Sequence, residues 1–255
     1  MWGSGMTDFA ASSYAVFFRE MLLLKIKVLR FGYVFYSVSS PVIYMLAFGL
    51  GLGSRIDVGG AGYGAFLIQG IVCMSSMTNS YNLIATSVSA GRLYSGSFQT
   101  LMTAPISPFS VMAGLIASGV VRGFLASFFI VAAGAAVFHV FPFGILSLVA
   151  LLLNVTFFSS IAVITGTLIK DMESNAVITN FVIMPMSFFS GTFYPIDFLP
   201  EYLQKAVYLF PLSHTNIIMR AEYIDGSVLL SLVVLCCLTL ASFIAGAYIL
   251  SRYSE

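Results

Sequence analysis

Residues 109–137, FSVMAGLIASGVVRGFLASFFIVAAGAAV, form an apolar run that contains a single charged side chain, Arg122. A helix needs about 20 apolar residues to cross the hydrocarbon core of a bilayer, so this run is long enough to span it. Gly119 and Gly123 stand four residues apart, a spacing that lets two membrane helices approach closely. The run therefore predicts a transmembrane helix that packs tightly against a neighbour.

Similar runs recur along the whole chain. We expect six transmembrane helices, at about 32–53, 63–87, 109–137, 143–168, 176–195 and 228–250. Of the 11 basic and 10 acidic side chains of the protein, only Arg122 lies inside these stretches. Charged residues make up 8% of the sequence, whereas a soluble domain carries roughly 25%. The sequence thus predicts an all-α membrane protein, with residues 1–255 forming one transmembrane domain.

The balance of charge bears on partners and orientation. The net charge is +1 and the chain has no dense basic stretch, which argues against a nucleic-acid partner because phosphate contacts need clustered Lys and Arg. Cytoplasmic loops of membrane proteins retain positive residues. With the N-terminus inside, seven basic residues fall on the cytoplasmic side and three outside, so we expect both termini in the cytoplasm. The seven are Arg19, Lys25, Lys27, Arg30, Arg92, Lys170 and Arg252; the three are Arg55, Lys205 and Arg220.

The segment 14–30, YAVFFREMLLLKIKVLR, mixes charged and apolar residues. At 100° per residue the apolar residues, Phe17 among them, gather on one side, and the polar side holds Arg19, Glu20, Lys27 and Arg30. This pattern is typical of an interfacial helix that lies along the membrane. An equally simple interpretation is a positive anchor that only orients the first span.

Two segments between the spans have helical patterns of their own. In 91–108, GRLYSGSFQTLMTAPISP, a short helix from Ser97 to Thr103 would end near Pro105, because proline disfavours helix in the residue before it. It would present Phe98, Leu101 and Met102 to a partner or the membrane, unless the loop is tucked against the bundle. In 196–227, one amphipathic helix would follow Pro200 and run to Pro211, and a second, capped by Ser213, would run to Tyr223. Both are too short and too charged to cross, which indicates a re-entrant or interfacial pair.

Polar residues inside the predicted spans are candidates for a transport path. Five of them lie on one face of the second span, namely Ser75, Asn79, Asn82, Thr86 and Ser89. Such a stripe faces a cavity or a substrate, or forms hydrogen bonds between helices. Arg122 is expensive in a membrane, at roughly 2.5–3.5 kcal/mol on insertion scales. No predicted span contains an acidic residue, so we expect it to face a polar cavity, an anionic cargo or a lipid phosphate, or else polar groups of the bundle.

Several kinds of chemistry have no sequence support. The chain has no G-x-x-x-x-G-K-[ST] phosphate loop and cannot hydrolyse ATP by that route. His139 and His214 have no carboxylate or cysteine at ligand spacing, so no metal site is expected. Ser190 lacks the glycine that a serine-hydrolase motif needs two residues earlier, where Phe188 stands. An intramembrane enzyme is therefore a weak alternative, and a secondary transporter or channel that needs no ATPase is a stronger one.

The sequence also resembles a known family in three places: TLMTAPISPFSVMAG (100–114), SFFSGTFYPIDFLPEYLQKAVYLFPLSH (187–214) and GSRIDVGGAGYGAFLIQGI (53–71). These stretches are similar to segments of the permease subunits of type-2 ATP-binding-cassette exporters, which include bacterial drug, nodulation-factor and polysaccharide exporters. The resemblance implies a non-enzymatic permease of the bacterial inner membrane. It would form a homodimer, join two ATPase subunits that hold ATP and Mg²⁺, need no cofactor itself, and export an amphipathic, lipid-like or glycan substrate.

The resemblance also implies roles for particular residues. The segment 92–105 would hold the helix that couples to the ATPase, although the acidic residue common before that helix in the family is absent. The coupling residues would be Arg92, Tyr94, Phe98, Gln99, Leu101, Pro105, Lys170 and Asp171. An interfacial gate helix would contain Phe17, Arg19, Lys27 and Arg30, and the outer re-entrant helices would include Pro195, Pro200, Gln204 and Pro211. From the polar pattern, the substrate pathway would contain Asn79, Asn82 and Arg122.

Overall fold

A computed structural model of the chain describes residues 5–28, 32–52, 62–139 and 141–253. Within these ranges the protein is helical and contains no strand, which confirms the predicted all-α class for the described part of the chain. The α-helices are α1 Gly5–Val28, α2 Gly32–Leu52, α3 Gly62–Leu93, α4 Ser97–Thr103, α5 Pro108–Phe138, α6 Ile145–Leu168, α7 Met172–Ile178, α8 Met184–Phe189, α9 Glu201–Val207, α10 Pro211–Arg220 and α11 Gly226–Ser251.

Three of the described helices, α5, α6 and α11, are long and apolar enough to cross a membrane. Their bounds lie within two residues of the predicted spans. Local sequence explains where two of them begin: the Ser107 hydroxyl accepts the Ser110 amide at the start of α5, and the Asp225 carboxylate accepts the Val228 amide at the start of α11. Such caps satisfy amide groups that have no partner inside the helix. Helices α2 and α3 cover the first two predicted spans, and α3 continues six residues further, to Leu93.

The fifth predicted span, 176–195, is not a regular α-helix throughout. The backbone is helical from Met172 to Phe189 and consists of α7, a π-helical turn at Thr179–Ile183, and α8, which ends at Phe189. The Met184 amide donates to the Thr179 carbonyl, five residues back. Pro185 follows at once, and because proline has no amide hydrogen it cannot continue the regular bonding of a helix. After α8 the chain turns at Gly191, whose φ of 78° is strained for other residues.

The core is built around α3, which packs against both α5 and α6. Helices α5 and α6 in turn approach each other through small residues. A Cβ on Gly119 would lie 2.1 Å from Ser159 Oγ of α6, and one on Gly123 would lie 2.4 Å from Val155 Cγ1. Both distances are far below van der Waals contact. The glycine pair of α5 therefore serves close packing within the chain.

The segment after Gly191 forms the predicted helix pair, α9 and α10, but the second helix begins and ends at other residues than predicted. Pro200 precedes α9 and Pro211 begins α10, while Gln204 donates to the Leu199 carbonyl at 2.8 Å. The prediction that Ser213 caps the second helix is wrong, because α10 starts two residues earlier and the Ser213 hydroxyl donates to the Val207 carbonyl instead. The helix α10 ends at Arg220 rather than at Tyr223. Pro195 lies just before a short 3₁₀ turn, Ile196–Phe198.

Helix α10 is attached to the core through buried side chains. Thr215 donates to Asn154 Oδ1 of α6 at 3.2 Å, and Asn154 in turn donates to Ser76 Oγ of α3 at 2.8 Å. The Asn216 amide donates to the Ser190 carbonyl at 2.8 Å. These contacts satisfy polar groups that would otherwise be costly to bury. The end of the protein formed by α9 and α10 is therefore tied to the helices that form its core.

Candidate functional site

Arg122 is buried, and its partner is Glu20. The guanidinium Nη2 lies 2.8 Å from Glu20 Oε2, and the two side chains are only 4% and 1% exposed. Arg122 also donates to the backbone carbonyls of Glu20 and Leu83. The expectation that this arginine has no acidic partner, and so faces cargo or lipid phosphate, is wrong, because the carboxylate comes from α1, outside the predicted spans.

This contact also corrects the predicted surface of α1. On the helical plot Glu20 belongs to the polar side, yet in the structure it is buried. Phe17 is half-buried and Arg19 is partly exposed, while several apolar residues of α1 are exposed, namely Tyr14, Phe18, Leu22, Leu23 and Ile26. Arg30 and the side chain of Lys27, both assigned to the predicted gate helix, lie outside the described residues.

A close helix crossing brings Glu20 into reach of Arg122. A Cβ on Gly114 of α5 would lie 2.6 Å from the Ser13 carbonyl oxygen and 2.6 Å from Val16 Cβ, both in α1. Any side chain larger than hydrogen would push the two helices apart. Gly114 therefore allows α1 to lie directly on α5.

Glu20 is the centre of a wider polar network that we call the Glu20 network: Arg19, Glu20, Ser87, Ser97 and Arg122. The Ser87 hydroxyl of α3 donates to Glu20 Oε2 at 2.9 Å, and Arg19 Nη1 donates to Oε1 at 3.1 Å. Arg19 Nη2 also donates to the Ser97 hydroxyl at the start of α4, at 3.0 Å. One carboxylate thus connects four helices, α1, α3, α4 and α5.

The short helix predicted over Ser97–Thr103 is present as α4, but its predicted outer face is wrong. Phe98 is 2% exposed and lies edge-on to Tyr253, with 5.4 Å between the ring centroids. Leu101 and Met102 are half-buried against the core. The exposed residues here are Tyr94, at 75% exposure, with Thr100, Thr103 and Pro105, so the alternative of a loop tucked against the bundle describes the apolar side of α4.

The remaining predicted coupling residues have local partners. Gln99 Nε2 donates to the Arg92 carbonyl at 2.9 Å, which closes the turn before α4. Lys170 is exposed, and the Asp171 carboxylate accepts the amide and hydroxyl of Ser174, capping α7. Those two hydrogen bonds lower the pKa of Asp171. Among the described residues, neither Lys170 nor Asp171 has a hydrogen bond or ion pair with α4.

A cavity of about 230 Å³ lies between α2, α3 and the π-helical turn. Its wall contains Asn79 and Asn82, two of the three predicted pathway residues, but not Arg122. The Thr179 hydroxyl donates to Asn82 Oδ1 at 2.9 Å across this space. The polar side chains of the wall are Ser40, Thr78, Asn79, Asn82, Thr179, Asn180 and Ser187, and Tyr44 and Phe188 add aromatic rings.

Ser190 and His214 do not contact each other as a catalytic pair would. His214 hydrogen-bonds through Nδ1 to Ser231 and through Nε2 to the Tyr208 carbonyl. Ser190 is fully buried, and its hydroxyl has no hydrogen-bond partner among the described residues. Burial also lowers the pKa of His214. The histidine therefore links α11 to the turn after α9 rather than activating a nucleophile.

Comparison with known proteins identifies the family of the chain. Residues 14–224 match the family described as ABC-2 type transporter. The chain belongs to this family. The inner membrane transport permease YadH of Escherichia coli strain K12 is 30% identical over 180 residues, which cover 69% of each chain. Nodulation protein J of Sinorhizobium fredii is 25% identical over 221 residues, 85% of this chain and 84% of that protein, and the Rhizobium meliloti protein of that name is 26% identical over 221 residues.

The matched region of this ABC-2 permease contains Glu20, Arg122, α4, the cavity and α10. Its relatives are transport permeases and not enzymes, so the chain is a transport permease too. It is a multi-pass protein of the inner membrane. Permeases of this family generally work with an ATP-binding subunit.

The crossing of α1 and α5 in the permease gives a first prediction. Gly114→Ala is expected to cost about 1–3 kcal/mol of unfolding free energy, because the new methyl group overlaps backbone and side-chain atoms of α1. Gly51→Ala in α2 is the matched control, since a Cβ there meets no atom within 4 Å. Thermal unfolding of both purified variants in detergent checks this. Equal midpoints for the two would show that α1 does not rest on α5.

Proposed function

We propose that this permease is the membrane subunit of an ATP-driven exporter. It crosses the inner membrane six times with both termini in the cytoplasm, and a homodimer joins two separate ATPase subunits that bind ATP and Mg²⁺. Its cargo is an amphipathic, lipid-like or glycan molecule. Three inputs support this proposal: family membership, the absence of a phosphate loop in the sequence, and the seven-to-three distribution of basic residues.

The observation that carries the proposal is the attachment of α4 to the rest of the bundle. One side of this helix is exposed at Thr100 and Thr103, and the other holds buried Phe98. Tyr94, in the turn just before α4, is exposed as well. The Arg19–Ser97 contact connects its first residue to the Glu20 network. A subunit that binds the exposed side and moves it would therefore pull on α1, α3 and α5 together.

The other end of the protein has features that suit an outer closure. Helices α9 and α10 are short, and buried side chains of α10 bond to α6 and to the turn after α8. Backbone that does not span a membrane is tolerated at its boundary when it packs on protein. In the proposed export cycle, ATP binding by the partner moves α4. Helix α3 then shifts together with α7 and α8, which opens a path between the two copies.

The contact between α4 and the ATPase is directly testable. Thr103→Cys, in a background carrying Cys236→Ala and Cys237→Ala, is coexpressed with candidate ATPases that contain a phosphate loop. Membranes from these cells are then labelled with a benzophenone maleimide. We expect irradiation to capture the ATPase from position 103, because this residue is exposed on α4. Leu152→Cys, exposed on the spanning helix α6, is the control and should capture none.

Two results would contradict the proposal. One is failure of every candidate ATPase to copurify or to be captured from position 103. The other is labelling of Thr103→Cys in intact cells by a membrane-impermeant maleimide, which would place α4 outside. A chain that transports in vesicles without any ATPase, in response to an ion gradient alone, would be a secondary transporter instead.

A further inference from the structure

We infer that the cavity between α2, α3 and the π-helical turn binds an uncharged part of the cargo that carries hydroxyl or amide groups. This inference rests on the proposed transport function and adds the chemical class of the ligand. The site excludes anionic and cationic groups, and it takes one portion of the cargo rather than the whole molecule.

The cavity wall carries no charge in the part of the chain that the structure describes, since none of the described lining residues is acidic or basic. The one charged residue in the predicted spans, Arg122, is already paired with Glu20 and does not line the cavity. An ion that enters such a space loses its hydration and finds no opposite charge, which disfavours its binding. A neutral polar group meets no such penalty if it finds hydrogen-bond partners.

The two asparagines have hydrogen-bonding groups that the described part of the protein leaves unused. Asn82 uses Oδ1 to accept from Thr179, and Asn79 uses Nδ2 to donate to the Ser75 carbonyl. Among the described residues, no partner takes Asn82 Nδ2 or Asn79 Oδ1. The wall thus offers one donor and one acceptor about one helical turn apart. Hydroxyl and amide groups both donate and accept, so they complement this pair, whereas a phosphate or carboxylate offers acceptors only.

The shape of the space suits a small group. Tyr44 and Phe188 lie edge to face, with 5.8 Å between ring centroids, and add an apolar surface to the wall. A volume of about 230 Å³ is below the roughly 300–1,000 Å³ of pockets that enclose a drug-sized ligand. Ser40, Asn180 and Met184 are exposed lining residues, so the cavity is open there. It therefore suits a single polar ring or head group, with the rest of the molecule extending outward.

The test compares three photoreactive probes that differ only in their head group. Each has a ten-carbon alkyl chain with a diazirine, joined to glucose, phosphate or trimethylammonium, and each is irradiated with the purified permease in nanodiscs. We expect saturable labelling of α3 and Thr179–Ile183 peptides by the glucoside, and unsaturable background labelling by both charged probes. Asn82→Leu should weaken glucoside binding about fivefold, the value of one hydrogen bond of about 1 kcal/mol.

Introducing a charge into the cavity makes the test stricter. Asn82→Asp keeps the size of the side chain and adds a negative charge, so it should lower labelling by the glucoside and introduce saturable labelling by the trimethylammonium probe. Asn79→Ala is a second variant if Asn82→Leu does not yield folded protein, and Leu152→Ala on the exposed side of α6 should change nothing. Equal labelling by all three probes, or glucoside labelling that ignores the substitutions at both asparagines, would overturn the inference. Because the assay contains no ATPase, its outcome is independent of whether an ATPase joins the permease.

Discussion

Replacing Glu20 with alanine is expected to lower the free energy of unfolding by about 3–5 kcal/mol, because it leaves the buried Arg122 charge without a counter-ion. The loss should appear as a large fall in the thermal midpoint of the purified permease in detergent. Glu201→Ala is the matched control. Glu201 forms an ion pair of similar length with Lys205, at 2.9 Å, but both side chains are more than three-quarters exposed, and such pairs contribute about 0–1 kcal/mol.

A double substitution separates the ion pair from its surroundings. Replacing both partners with apolar residues of similar size, Glu20→Leu with Arg122→Met, should recover much of the stability, because no unpaired charge is left in the core. If Arg122 instead served an external anion, Glu20→Ala would leave stability unchanged and the double variant would be no better than Arg122→Met alone. That result would contradict the assignment of Glu20 as its structural partner.

Arg122 illustrates which contacts of this protein local sequence predicts. Its cost in a membrane correctly predicts that it is buried with a partner. The helical plot of α1 places Glu20 on the polar side, since the plot considers one helix alone. Burial of Glu20 depends on the crossing of α1 over α5, and the small residue that permits it, Gly114, lies 94 positions along the chain. Contacts at such separations leave no trace in local periodicity.

The cavity illustrates the same limit. Spacing correctly predicts that Asn79 and Asn82 share a face of α3, because that pattern is local. Another part of the wall comes from Thr179, 97 residues from Asn82, on a π-helical turn within the fifth predicted span. Pro185 is the sequence signal for that turn, since proline breaks regular helical bonding. An apolar run alone predicts a regular α-helix, and so it misses both the turn and the part of the wall that the turn forms.

The second large effect is expected around α4, where the sequence assigns the same coupling role to two aromatic residues, Tyr94 and Phe98. The structure separates them, because Phe98 in α4 is buried and Tyr94 in the turn before α4 is exposed. Phe98→Ala should cost about 3–5 kcal/mol of unfolding free energy, because the ring is buried in the core and packs on Tyr253. Tyr94→Ala should change stability by less than about 0.5 kcal/mol, since its side chain is exposed. Thermal unfolding of the two purified permeases without any partner measures this difference.

Binding to the ATPase should follow the opposite order. An exposed tyrosine at the centre of a contact commonly contributes about 2 kcal/mol or more, so Tyr94→Ala should weaken the complex about 30-fold. Tyr202→Ala on α9 is the control, because it removes an equally exposed tyrosine from the end that we place outside. Affinity is measured by titrating the ATPase onto permease in nanodiscs. If the Phe98 variant were stable and selectively lost the ATPase, the apolar side of α4 would be the docking side, and the Glu20 network would hold α4 in a resting position that the partner must displace.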